Sequence, residues 1–195
     1  MATDSEHYLR FDEIEDVLSS LDLLALVAGL VRKQPAYWKW VIVAAHDALQ
    51  GSMVCALNDT SSVNVLADKS ARKTLEWHDT RAGTMPTQWL AEFETLLARC
   101  QDKLLMEDEP LVVTEEQLKD VIRLHAEFRN NFSHFTPMGW STEVAGLPRI
   151  ISTAIDFVEY LMGSTQVLFK LTGNRKRRLS KNVKDARAIL ASLLA

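Results

Sequence analysis

The chain has 195 residues, 47% of them hydrophobic and 25% charged, and a net charge of -4. That balance is ordinary for one globular domain over 1–195 and excludes a uniformly basic nucleic-acid coat, while leaving room for a local basic site. With only 7 Gly and 5 Pro, it also argues against a turn-rich β architecture and points to an all-α fold.

The N-terminal stretch, MATDSEHYLRFDEIED, has no charged-then-apolar signal pattern. A first helix is predicted over about 12–32, with Ile14, Val17, Leu18, Leu21, Leu24, Val27, Leu30 and Val31 in helical steps of three and four. Pro35 opens a second helix, about 36–57, that is apolar around most of its circumference and so reads as a central element. Asp22 interrupts the first apolar window, and Lys39, His46, Asp47 and Gln50 interrupt the second. Both are expected to be buried helices rather than membrane spans. Cys55 and Cys100 stand in apolar helical contexts without metal-ligand spacing and read as small hydrophobes in a reducing, cytoplasmic setting.

A polar loop begins at Asn58, a short helix covers about 67–78, and a second loop runs to Pro86. Together, about 58–86 reads as a loop and short-helix region. A helix over about 87–106 is expected to bury Trp89, Leu90, Phe93, Leu96, Leu97 and Cys100, ending at the acidic loop 107–110. Glu76 and His78 lack a third ligand at metal spacing, so no metal and no cofactor is expected.

Thr114-Glu115-Glu116-Gln117 is a capping box. Leu118, Val121, His125, Phe128, Phe132 and Phe135 then form one core stripe, and Thr136-Pro137-Met138-Gly139 stops the helix. A further helix is predicted from about Pro148 to Leu171 with Gly173 as its stop, followed by a basic helix over about 174–195. The sum is a helical bundle of four to six helices. His46 and His125 read as satisfied core histidines, Glu127 as a surface group or a partner of Arg123 or His134, and Trp140 as a packed loop anchor.

The chemically loaded stretch is Arg129-Asn130-Asn131-Phe132-Ser133-His134. On a helical wheel Arg129 pairs with Ser133 and Asn130 with His134 at i+4, forming a polar wedge beside the phenylalanines. Arg129 and His134 diverge by about 140° on a regular helix, so gripping one small group requires a kinked helix end or a second copy. Arg suits phosphate oxygens, His moves protons near neutrality, and Asn and Ser orient by hydrogen bonds. A phosphodiester could thus be cleaved without a metal, whereas the bland alternative is a solvated helix end. The run Arg175-Lys176-Arg177-Arg178 either tracks an RNA backbone or is a solvated face balancing an acidic protein.

Arg129-Asn130-x-x-x-His134, late in a helix of an all-α chain, resembles the R-x4-6-H motif of the HEPN superfamily (higher eukaryotes and prokaryotes nucleotide-binding domains). A polar residue such as Asn130 commonly follows the arginine there, and residues 37–50 look like the core helix that precedes the motif helix. The resemblance implies an up-and-down, HEPN-like bundle that dimerises with the two motifs facing each other. For active members it implies metal-independent endoribonuclease activity with Arg129 and His134 as the catalytic pair and Asn130 supporting; by their own chemistry Ser133 and Arg175, Lys176, Arg177 and Arg178 are the candidates for holding substrate. It further implies toxin or defence settings, often beside a nucleotidyltransferase-type antitoxin. Other members are non-catalytic modules binding RNA, nucleotide or protein. This chain is longer than the smallest members, through 58–86 and the segment after Gly173.

Overall fold

The computed structural model describes residues 8–134, 137 and 139–194. Phe135, Thr136 and Met138, part of the expected core stripe and of the expected helix stop, lie outside them, as do residues 1–7 and 195. The described chain is all-helical. Its helices are α1 (Glu13–Ala28), α2 (Trp38–Leu57), α3 (Asp68–Thr80), α4 (Phe93–Cys100), α5 (Glu115–Arg123), α6 (Asn130–Ser133), α7 (Leu147–Met162), α8 (Thr165–Leu168) and α9 (Gly173–Leu194). A π-helical segment, Leu124–Arg129, joins α5 to α6 without a break.

α2 is the axis of the molecule, touching α1, α4, α7, α8 and the π segment, because nearly every face of it is apolar. With its lead-in, Pro35–Leu57 is long and apolar enough to cross a membrane, but 72% of that window is buried within the protein. Core position therefore accounts for its composition. α1 packs on α2 through Val17, Leu18, Leu21 and Leu24, all fully buried. Asp12 caps α1 by accepting the Glu15 N–H at 2.8 Å. α9 closes against α1 and α7 through Val183, Ala186 and Leu190, so the basic C-terminal helix is a wall of the bundle.

α1 and α2 come close at Gly51. A Cβ there would meet Val17 Cγ2 at 2.9 Å and Asp16 Oδ2 at 3.1 Å. Val17 is fully buried and cannot move aside. Gly51→Val is expected to destabilise the fold by about 1–3 kcal/mol in urea melts, despite removing a helix-interior glycine.

Several predicted boundaries shift, each for a local reason. The segment before Phe93 is extended rather than helical, and Leu66 and Leu90 form an isolated antiparallel bridge. The Trp89 N–H donates to Ser70 Oγ (2.9 Å), and the Trp89 carbonyl accepts from the Ala67 N–H (2.9 Å). Those bonds replace helical ones, which leaves Trp89 and Leu90 exposed instead of on a core stripe. Gly173 begins α9 rather than ending its predecessor, and α7 stops at Met162 with Gly163 as its cap. The acidic loop is not merely solvated: Thr165 Oγ1 donates to Asp108 Oδ1 at 2.9 Å, and the Tyr160 hydroxyl donates to the Glu109 carbonyl at 2.8 Å.

Candidate functional site

The motif helix is fixed at both flanks before it reaches Arg129. The Thr114 capping box forms as expected: the Gln117 N–H donates to Thr114 Oγ1 (3.2 Å), and Gln117 Oε1 accepts the Thr114 N–H (3.0 Å). One turn on, the buried Asp120 carboxylate receives Arg149 and the Thr153 hydroxyl of α7, tying the helix to the bundle. Val121, Leu124 and Phe128 are fully buried, whereas Leu118, expected in the stripe, is 40% exposed.

The π segment sets the azimuth of the helix end beyond it. The Asn130 N–H donates to the His125 carbonyl, an i to i−5 bond that places one extra residue in the turn and rotates later positions relative to a regular helix. Arg129 is therefore directed into a crevice of about 180 Å³ that Glu13 and Asp16 of α1, and Asp47, Gln50 and Gly51 of α2, line with Leu90. Its Nη1 donates to Asn130 Oδ1 at 3.1 Å, and its buried Nε has no hydrogen-bond partner among the described residues. Burial, and after it the Asp47 charge, raises the Asp16 carboxyl above its ordinary pKa.

The motif residues are thus only partly brought together. Arg129 and Asn130 are joined. His134 stands exposed as the cap of α6, its backbone N–H donating to the Asn130 carbonyl at 2.8 Å, and it does not line the Arg129 crevice. Ser133 is exposed, and no hydrogen bond links it to Arg129 among the described residues. Glu127 pairs with Arg123 at 2.6 Å, and Trp140 packs against Phe132 with ring centroids 4.8 Å apart.

Of the basic run, Arg175 pairs with Asp12 (2.8 Å) and Glu15 (3.6 Å), and Arg178 with Glu15 and Asp22. These two bind α9 to α1, since α1 presents its acidic side there. Lys176 and Arg177 are exposed, with Arg177 bonded to Asn174. Among the described residues no three His, Cys, Asp or Glu side chains are grouped as metal ligands.

Behind the Arg129 crevice, the two histidines expected as separate core residues form a pair. His46 Nε2 and His125 Nδ1 are 2.9 Å apart, and His46 Nδ1 is 3.3 Å from Asp47 Oδ1. Phe93 stacks on His125 with centroids 4.4 Å apart and the rings nearly parallel. A hydrogen bond from His46 Nδ1 to the Asp47 carboxylate leaves His46 Nε2 to accept from His125 Nδ1, a pattern that matches both distances. The one sequence signal for the pair is the His46-Asp47 dipeptide inside an otherwise apolar helix.

Burial, then the neighbouring His46 and Arg129, pushes the His125 pKa down from 6.5 to about 4. A base depressed in the folded state costs nothing above its unfolded value. Between pH 6.5 and about 4 the unfolded chain takes up a proton that the native one refuses, so stability falls as pH falls through that window. The loss is expected to be about 2 kcal/mol once the partial solvent contact of the ring is discounted. Thermal melts across this range should show it, and His125→Phe should flatten the profile.

No family model matches the chain, and neither a curated protein nor a solved structure matches it.

Proposed function

We propose that the protein is a metal-independent endoribonuclease of the HEPN type, working as a homodimer in which two copies of the Arg129–His134 motif form the site. In this reading His134 takes the proton from an RNA 2′-hydroxyl and returns one to the leaving 5′-oxygen, while Arg129 neutralises the charge gathering on phosphorus. Attack of the 2′-oxygen on the adjacent phosphate leaves a 2′,3′-cyclic phosphate and a 5′-hydroxyl. Asn130 is a positioning residue that holds the guanidinium by its side-chain oxygen.

The observation that carries the reading is Arg129 itself: a half-buried guanidinium, held from one side by Asn130, with Nε unpartnered among the described residues. A donor kept in that state is suited to an incoming oxyanion. His134 does not line the Arg129 crevice, and the two positions diverge by about 140° on a regular helix, which favours a site completed by a second copy. A toxin or defence role, restrained by a nucleotidyltransferase-type antitoxin, is the setting that the HEPN resemblance favours.

The acidity of the crevice favours a second reading. Glu13, Asp16 and Asp47 line the same crevice as Arg129, and carboxylates there can offset its charge without any ligand. Arg129 would then be a structural counter-ion, and the protein a non-catalytic module of the same type that binds RNA, a nucleotide or a protein partner. Light scattering after gel filtration, together with RNA cleavage in EDTA, separates the two. A dimer that cleaves supports the nuclease, and a monomer at high micromolar concentration overturns the shared site.

A further inference from the structure

Four of the five tryptophans are accounted for by what covers them. Trp38 is buried, Trp40 lies under the Lys39 ammonium, the Trp77 indole donates to the Gly83 carbonyl, and Trp140 packs on Phe132. Trp89 is different: its side chain has no aromatic, cationic or hydrogen-bonding partner among the described residues, and it is 69% exposed. Its backbone, by contrast, is fully engaged. The Trp89 N–H goes to Ser70 Oγ and its carbonyl to the Ala67 N–H, both at 2.9 Å. Ser70, itself only 5% exposed, clamps this extended segment onto the start of α3.

The indole, carried on this hydrogen-bonded backbone, lines a cavity of about 550 Å³ with Lys69, Ser70, Lys73, Pro86 and Thr87. Lys69 and Lys73 are one helical turn apart and so present their ammonium groups on the same side of α3. Neither joins an ion pair among the described residues, and the nearby Asp68 is taken by Arg99 at 2.8 Å. On a protein of net charge -4, two uncompensated cations beside a bare π-face form a recognisable chemistry. They suit a ligand that is flat and stackable at one end and doubly or serially anionic at the other. The cavity is of the size that encloses such a ligand.

We propose that this cavity binds a nucleotide unit, its base stacked on Trp89 and its phosphates neutralised by Lys69 and Lys73. The unit is either a free mononucleotide or one residue of single-stranded RNA. The cavity neighbours the motif crevice along the chain: Trp89 lines this cavity, and Leu90, the next residue, lines the Arg129 crevice. The inference does not rest on catalysis at His134. It stands if the protein binds RNA without cutting it.

The test uses the full chain carrying His134→Ala, so that a fluorescein-labelled oligo(U) or oligo(A) stays intact during anisotropy titration. Trp89→Ala is expected to weaken oligonucleotide binding about 10-fold, and Trp89→Phe to retain most of it, since stacking needs a ring and not an indole. The Lys69→Gln/Lys73→Gln pair should weaken binding further and lower the logarithmic salt slope by roughly 1.4, the value for two phosphate contacts on a single strand. Trp40→Phe should change nothing. AMP that displaces the oligonucleotide, or that binds alone, assigns a mononucleotide site; binding of the oligonucleotide without competition by AMP assigns RNA. If neither probe binds, or if Trp89→Ala and the double lysine variant bind as the parent does, the inference is overturned. Cleavage assays in the wild-type background report on the His134 reading separately, so failure of one is distinguishable from failure of the other.

Discussion

His134→Ala is expected to reduce RNA cleavage in EDTA by about 10²- to 10⁴-fold, the range over which a positioned general acid–base contributes. The melting temperature should not change, because His134 caps a four-residue helix at the exposed end of the motif and the core does not depend on its ring. Arg129→Lys should be nearly as damaging. It keeps the charge but loses the planar fork that matches phosphate oxygens and the bond to Asn130 Oδ1.

The divergence of the two side chains allows a sharper test. If each site takes Arg129 from one copy and His134 from the other, mixing Arg129→Ala chains with His134→Ala chains regenerates intact sites. Statistical pairing restores about a quarter of the wild-type activity, from half the dimers with one of two sites intact. Equal cleavage by wild type and His134→Ala would remove His134 from the chemistry. Absence of complementation between chains that exchange subunits would overturn the arrangement in which Arg129 and His134 of one site come from different copies.

Phe128→Ala should be the most destabilising single truncation at the site, costing about 3–5 kcal/mol in chemical denaturation. At this chain length that corresponds to a fall of about 10 °C in melting temperature. Phe128 is fully buried in the π segment, with Arg123 over its ring at 5.0 Å and Arg129 next in sequence. Emptying that position leaves a cavity under the turn that directs Arg129. Phe128→Leu tests the consequence for function. Stability should be largely retained, and a loss of cleavage out of proportion to it would identify Phe128 as setting the Arg129 direction. A loss of less than about 1 kcal/mol in Phe128→Ala would mean that the turn repacks freely, and that its π geometry is not what places the guanidinium.

Much of the architecture is legible in the sequence because it rests on local rules. The 3.6-residue period of α1, the all-round apolarity of α2 and the Thr114 capping box each encode their element within a few residues. The Trp89 segment departs from its helical expectation for the opposite reason. Its residues have no period conflict with a helix, and what makes them extended is Ser70, nineteen positions earlier, taking the Trp89 N–H. The same holds for Arg175 and Arg178, whose charge is free in the sequence and neutralised only where α9 meets the acidic side of α1.

The hexapeptide 129–134 shows both sides of this division. Its chemistry, a permanent cation, an amide and a titratable ring at helical spacing, belongs to the sequence alone, as does the divergence of Arg129 from His134. Tertiary structure decided where those groups point. The π turn, in which Phe128 is buried and His125 meets buried His46, shifts the register of the helix end by one residue relative to a regular helix. It sends Arg129 toward Asp16 and Asp47, residues that lie more than eighty positions away and that no local pattern connects to it.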